Sequence, residues 1–442
     1  MARPARHEAP AARADAFFAK QSHFELLAPI PAPVNRDFPK MQSAANREPT
    51  SSGTREMHTN SEHCRTMRIA FVGCGYVASL YARALGVHPE LHLAGVTDLD
   101  VDRARRFADT YGTRAYAGIG QLLADESVDL VLNLTNPRSH YDVTLACLEA
   151  GKHVYSEKPL AMDFAQAQEL VETAERRGLM LSAAPCSLLG ETAQTIWRAV
   201  RENQVGPVRA VYAELDDGLL HRMPYHLWLS ETGVPWPHKD ELEVGNVLEH
   251  AAYYVSWLAA FFGPAVSVTA YGSVQVPDKL TVEPLDRVSP DLSVACIRFE
   301  SGVSARLTCS IIGPHNHTLQ IIGDDGILGT NDCWNYRSPV WIRRRFKIRR
   351  RVMLTPWRRR YPLAGKRNKL PMCKGNTRMD WLRGVAEMKQ ALDERRQCRL
   401  SAEFSLHVCE IVLAISNAGA EGHSCRMTTA FDPVEPMPWA RA

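Results

Sequence analysis

The stretch that most constrains this chain is Met67-Arg-Ile-Ala-Phe-Val-Gly-Cys-Gly-Tyr-Val-Ala78. Ile69 to Val72 reads as a buried parallel strand. The chain then turns on Gly73 and Gly75 and enters a helical pattern that runs to Leu85. Strand, glycine turn and helix in that order make a cradle for a diphosphate. The first glycine permits the tight turn, and the second leaves the backbone open to close approach at a helix N-terminus. Ala78 stands at the third small position, where helix must pack closely on strand.

A second strand follows, Leu93-Ala-Gly-Val-Thr-Asp98, and ends on an acid at the spacing a dinucleotide site requires. A carboxylate there accepts from ribose hydroxyls and repels a 2′-phosphate, so the cofactor expected is NAD rather than NADP. The plainer alternative is a glycine turn in some other α/β protein, with Asp98 capping a helix.

From 67 to about 185 strands and helices alternate. Strands are expected at 129–134, 153–156 and 180–184, and helices at 101–111, 118–124, 139–150 and 163–177. Such alternation gives a doubly wound parallel sheet whose ligands lie beyond the strand C-termini. The loops at 73–78, 98–100, 135–140 and 156–159 share that edge. An amphipathic helix at 187–204 and a strand at 208–214 follow. A loop at 216–244 is rich in His, Trp and Pro, and a helix covers 247–262. Four segments of period-two alternation after 265 suggest an antiparallel sheet, closed by helices near 377–395 and 402–419. The fold class expected is α/β, an N-terminal Rossmann sheet joined to a C-terminal α+β domain with a large, mostly antiparallel sheet. The boundaries are a disordered extension at 1–66, the dinucleotide domain at 67–186, the α+β domain at 187–430 and a tail at 431–442.

Apolar content of 45% and charged content of 23% suit a globular chain. The longest apolar run, Ala251 to Phe262, is too short to span a bilayer. No secretory signal pattern is visible, and the eleven cysteines are scattered without metal spacing, which points to reduced thiols and a cytoplasmic setting. Residues 1–66 hold acids at 8, 15, 25 and 37, which argues against a transit peptide, and Met67 is a possible alternative start. Net charge is +3, yet sixteen Lys or Arg and no acid lie between Cys333 and Met379, so the rest carries −13.

Glu157-Lys158-Pro159 is the second informative site. A lysine at the end of a parallel strand can reach the nicotinamide end of the cofactor and hydrogen-bond a carbinol or carbonyl oxygen. With Gly73 to Ala78, Asp98, Thr135-Asn-Pro-Arg-Ser-His140 and the C-terminal Asp380–Glu387 and Arg399–Glu403, the chain resembles the Gfo/Idh/MocA oxidoreductases over about 67–430. The resemblance implies hydride transfer between nicotinamide and a sugar, cyclitol or nucleotide-sugar, and a homo-oligomer, dimer or tetramer. It also implies cofactor contacts at Gly73, Gly75, Tyr76, Val77, Ala78, Asp98, Thr135, Asn136, Pro137, His140, Glu157 and Lys158. The family often carries Gly-Gly-x-x-x-Asp-x-x-x-His on the helix opening the second domain. Here Gly245-Asn246 leads to His250 and Tyr254 at those two polar positions. Residues four apart share a helix face, so the catalytic set expected is Lys158, Tyr254 and His250, a lysine–tyrosine arrangement similar to dihydrodiol dehydrogenases. The alternative is that His250 and Tyr254 are a half-buried structural face.

His221, His226, His238 and His250 with Glu249 match no tight ligand spacing, and no metal is expected. The 216–244 loop is expected to close over substrate, with Trp228 and Trp236 as walls and Asp216, Asp217, Asp240 and Glu241 bonding hydroxyls. The basic, aromatic segment 341–361 is read as a solvated excursion, a substrate-steering patch or a polyanion surface, with nucleic acid not expected to bind. Two other functions remain open: a non-catalytic binder of dinucleotide and sugar, and a basic interaction protein using 341–361.

Overall fold

The computed structural model describes residues 65–371 and 378–441. The N-terminal extension, apart from residues 65 and 66, lies outside the described residues. The described residues form one compact unit.

The first sheet holds β1 (Met67–Val72), β2 (Leu91–Thr97), β3 (Leu130–Asn133), β4 (His153–Ser156) and β5 (Leu181–Ala183). All pairings are parallel, in the order β2-β1-β3-β4-β5. The helices are α1 (Tyr76–Ala84), α2 (Val101–Tyr111), α3 (Ile119–Leu123), α4 (His140–Glu149) and α5 (Phe164–Arg176). Strand order reverses at β1, so β2 and β3 leave it on opposite sides and open a crevice at their C-terminal ends. Asp100 starts α2 by accepting from the backbone of Asp102 and Arg103, and Gly112 ends it in the left-handed region.

The second lobe opens with α6 (Glu191–Arg201). Its sheet is built from β6 (Val208–Asp216), β7 (Ala265–Ser273), β8 (Leu292–Phe299), β9 (Ser304–Ser310), β10 (Leu319–Gly323), β11 (Gly326–Thr330), β12 (Trp341–Ile348) and β13 (Arg351–Leu354), with β14 (Arg359–Arg360) and β15 (His423–Arg426). The order is β13-β12-β11-β10-β6-β9-β8-β7-β15, with β14 on β12. Only β6 and β9 pair in parallel, so the sheet is mostly antiparallel, as the alternation predicts. Between β6 and β7 the chain forms α7 (His238–Val244), a π-helical turn at Val247–Ala251 and α8 (Ala252–Phe262). The expected irregular loop thus contains a helix of its own.

α8 is apolar all round and almost wholly buried, as befits a core helix. α9 (Arg383–Glu394) and α10 (Ala402–Ser416) complete the chain, and α10 packs on α5, α8 and β7, tying the lobes together. The residues expected as a tail return to the body: Ala440 is buried and its carbonyl accepts from Arg201 at 2.8 Å. Among the described residues, no helix is long and apolar enough to cross a membrane.

The basic segment is a strand pair, not a loose excursion. β12 and β13 form a hairpin at the sheet edge, turning at Arg349 and Arg350, with Arg349 at positive φ. Its arginines are partly used: Arg343 donates to the Thr355 carbonyl at 2.8 Å, and Arg358 lies 4.2 Å over the Trp341 ring.

Candidate active site

Gly73 sits at φ +97°, and a Cβ there would come within 2.6 Å of the Leu134 carbonyl oxygen. The turn therefore needs glycine twice, for its backbone angle and for its packing on the end of β3. Gly75 differs: a Cβ there would meet nothing within 4 Å. It precedes α1, whose first turn has no side-chain cap. Free backbone N–H groups beside open space fit a diphosphate. Ala78 is fully buried under the turn.

Asp98 faces this turn. Its Oδ2 accepts from the Cys74 N–H at 2.8 Å and its Oδ1 from the Asp100 N–H at 2.9 Å. Arg103 approaches Oδ1 at 3.4 Å. Helix capping, the alternative for Asp98, falls to Asp100 instead.

Of the other expected cofactor contacts, Asn136 is exposed, and Thr135 and Pro137 are half-buried on the same edge. His140 is fully buried. Its Nδ1 lies 2.6 Å from the Pro159 carbonyl and its Nε2 3.1 Å from that of Thr135, so it joins two loops of the edge and its ring faces no open space. Burial pushes its pKa down. Glu157 is likewise occupied, accepting from the Tyr81 hydroxyl at 2.6 Å and from the Lys158 N–H at 3.0 Å. Both side chains thus tie the loops of this edge together.

These contacts hold Lys158 at the end of β4 with its ammonium reaching across to the second lobe. There it donates to Glu249 in an ion pair that is buried at the carboxylate and half-buried at the ammonium. Burial would lower the lysine, but the carboxylates of Glu249, Glu157 and Glu241 outweigh it and hold the ammonium above its usual range. A small apolar hollow opens beside Lys158, walled by Ala184, Ala252, Phe404 and Val412.

The helix register is where sequence and structure part. Tyr254 does not meet Lys158. It is fully buried and its hydroxyl donates to the backbone carbonyl of His317. Burial, with Cys333 and Asp332 nearby, pushes its pKa well up. His250 and Tyr254 do lie toward one neighbourhood, that of His317. The face toward Lys158 belongs to Glu249, which takes the ammonium, and to Ala252 and Ser256, which line the hollow beside it; Tyr253 packs on Trp334. The turn at Val247–Ala251 is π-helical.

His250 remains within electrostatic range of Lys158. Its Nδ1 lies 2.9 Å from Asp217 Oδ2, while Asp217 Oδ1 lies 2.8 Å from His317 Nε2. Burial alone would lower the imidazole, but Asp217 and then Glu241 raise it to about 9. Asp217 is in turn held well below the carboxylate range: burial would raise it, but His250 and His317 prevail. Burial and the Glu249 charge push Glu241 up to about 8. His250 is therefore biased toward its cationic form at neutral pH, and burial biases Glu241 toward its neutral form.

The loop residues divide. Asp217 and Glu241 lie beside His250. Asp216 accepts from Ser310 at 2.5 Å, and Asp240 pairs with Arg138 at 3.1 Å. Trp228 and Trp236 pack against each other and a small apolar cluster around Leu220 and Leu242. His238 stacks on Tyr225. Glu249 and His317 were missed as site residues. The signal for His317 was the alternation in His315-Asn316-His317, since residues two apart share one face of an extended segment. Asp217, His315 and His317 offer ligand atoms within 4.8 Å of one another, as do His317, Asp332 and Cys333, so these groups are close enough to hold a metal ion.

The parallel sheet, its glycine turn and its acid define a nicotinamide-type dinucleotide fold with a lysine at its edge. Two family descriptions match the chain: an oxidoreductase family with an NAD-binding Rossmann fold over residues 67–184, and the GFO/IDH/MocA C-terminal domain over 193–329. The chain belongs to the Gfo/Idh/MocA oxidoreductase family. It is similar to trans-1,2-dihydrobenzene-1,2-diol dehydrogenase of Mus musculus, with 25% identity over 61% of this chain and 75% of the relative. The Homo sapiens enzyme of that name is also 25% identical, over 61% and 75%. Among solved structures, UDP-N-acetylglucosamine 3-dehydrogenase of Acidithiobacillus ferrooxidans matches with a TM-score of 0.60 and 20% identity over 80% of this chain and 98% of that one. A 3-ketoreductase of Actinomadura kijaniata, in complex with TDP-benzene and NADP, matches with a TM-score of 0.61 and 22% identity over 80% and 98%. These likenesses place the fold.

Proposed function

We propose that the protein transfers a hydride between a nicotinamide cofactor and a carbinol or carbonyl carbon of a sugar-like alcohol. The observation that carries this is Lys158: an ammonium at the end of β4, next to the open diphosphate cradle and facing Glu249, Glu241 and His250. The dehydrogenase and ketoreductase names of the relatives support the same reading.

The backbone at Gly75, Tyr76 and Val77 would hold the diphosphate, Asp98 the ribose, and Thr135 and Asn136 the far side of the crevice. Asp98 favours NAD. Arg103 at its side is the feature that would favour NADP, and competition between the two cofactors tests which prevails. Hydride acceptance is the part of the chemistry that a bound nicotinamide supplies.

In oxidation the carbinol C–H bond breaks with its electron pair, and the O–H proton leaves to a base. Lys158 hydrogen-bonds the oxygen and stabilises the charge that develops on it. His250 moves the proton. As a cation at neutral pH it donates in reduction, and its neutral form, populated above about 9, accepts in oxidation. Tyr254 is assigned a structural role, since its hydroxyl is already committed to His317.

The test is turnover with NAD and a panel of polyols and ketoses. Wild type that reduces NAD with one of them, and Lys158→Ala that binds NAD without turnover, support the reading. Wild type that binds NADH but turns over nothing favours the non-catalytic binder. The same reading carries a cytoplasmic dimer or tetramer, which light scattering and cell fractionation test.

A further inference from the structure

The β12–β13 ribbon changes character along its length. Near the sheet its arginines are tied down: Arg343 and Arg345 donate to the carbonyls of Thr355 and Gly323, and Arg344 donates to Gln204. From Phe346 to Met353 every residue is exposed. Among the described residues, the side chains of Lys347, Arg349, Arg350 and Arg351 have no ion-pair or hydrogen-bond partner. The apolar side chains of this tip lie on both faces. Residues paired directly across an antiparallel ribbon share a face, and neighbours along a strand alternate. Phe346 pairs with Met353, so those two and Ile348 share one face, while Val352, paired with Lys347, lies on the other. Ile348 is 50% exposed and Val352 64%, and Trp357, three residues past β13, is 69% exposed.

Apolar groups this exposed, collared by unpaired cations, mark a contact surface whose partner is anionic and apolar at once. The charge is concentrated here: residues 333–379 hold sixteen Lys or Arg and no acid, while the rest of the chain carries −13. A protein groove or a nucleic-acid duplex would cover one face of the ribbon and leave the other wet. The interfacial layer of a bilayer surrounds both faces, seats aliphatic and Trp side chains, and lets long basic side chains reach lipid phosphates. Ile348, Val352 and Met353 offer no π face on which a base could stack. Residues 346–353 also contain no Asn, Gln, Ser or Thr to read a base edge.

We propose that the β12–β13 tip docks the protein on an anionic lipid bilayer. Lys347, Arg349, Arg350 and Arg351 meet the headgroup phosphates, and Phe346, Ile348, Val352 and Met353 sit at the boundary of headgroups and acyl chains. The docking is peripheral, since the ribbon is far too short to span. It does not depend on the hydride reading, and no residue of the Lys158 site takes part in it.

The experiment uses the full chain and sedimentation with vesicles of phosphatidylcholine alone or mixed with phosphatidylserine. Wild type should sediment with the mixed vesicles and not with phosphatidylcholine alone, and added salt should release it. R349Q/R350Q/R351Q should weaken binding to the mixed vesicles on the order of 100-fold. I348S/V352S should still sediment at low salt but should no longer raise the surface pressure of a phosphatidylserine monolayer, which wild type does. All five positions are exposed, and thermal melts check that the variants keep the fold. Failure of wild type to sediment with the mixed vesicles overturns the proposal, as does equal binding by R349Q/R350Q/R351Q. Tighter binding of wild type to duplex DNA than to the mixed vesicles overturns it in favour of a nucleic-acid surface. A loss of oligomer mass in the tip variants, read by light scattering, overturns it in favour of a second copy of this chain.

Discussion

The cofactor edge and the substrate wall meet at Lys158 but are built from different materials. At the edge, backbone does the work: a glycine at positive φ, a glycine beside open space, and an uncapped helix start. The side chains there, His140 and Glu157, are spent on holding loops together. At the wall, buried side chains act through charge: Glu249 on Lys158, and Asp217 between His250 and His317. Backbone requirements restrict residue type one position at a time. Charge pairing depends on which residues the whole fold brings together.

The comparison is broken most severely at the edge. Gly75→Val fills the space left for the diphosphate, so nicotinamide binding measured by fluorescence should be abolished while the far-UV spectrum is unchanged. Retained binding would show that the cradle lies elsewhere.

At the wall the expected effect is a pH shift. His250 rises from an ordinary 6.5 to about 9 in the folded protein. Its pairing with Asp217 is therefore fully present below 6.5 and is lost as pH rises through about 9. Reduction should slow tenfold per pH unit above that point, oxidation should rise with pH up to about 9 and level off above it, and His250→Asn should remove the break from both profiles.

The two tyrosines sharpen the register. Tyr254→Phe strands the His317 carbonyl and should cost about 1–3 kcal/mol of stability, read by denaturant melts, with kcat within threefold. Tyr253 packs on Trp334 beside His250, and Tyr253→Phe should alter kcat more than stability. The reverse pattern would restore Tyr254 as the proton carrier. The smallest effect belongs to Arg103→Ala, which should change the NAD-to-NADP preference only a few-fold, against NADP.

Most of the edge was legible because its chemistry is local. Gly73, Gly75 and Asp98 are separated by strand and helix lengths that periodicity reveals, and Lys158 stands where a buried strand ends. The wall was legible only in part. The i,i+4 spacing put His250 and Tyr254 toward one neighbourhood, but the face toward Lys158 belongs to Glu249 and Ala252, and the turn there is π-helical. No residue type announces a π-turn. The pairing of Asp217 with His317 spans a hundred residues and depends on β6 meeting the segment before β10. The basic hairpin was hidden for another reason. Arginines on both faces of β12 mask the alternation that Trp341 and Ile342 begin, and the strand is held by its place at the sheet edge.

The central claim is that both halves act on one substrate through the Lys158 ammonium. The direct measurement is single-turnover formation of reduced nicotinamide in wild type, Lys158→Ala and Lys158→Arg, each saturated with NAD. Loss of about 10²–10⁴-fold in the transfer rate for Lys158→Ala, with NAD affinity unchanged and partial recovery in Lys158→Arg, is the predicted result. A Lys158→Ala variant that transfers hydride as fast as wild type would contradict it.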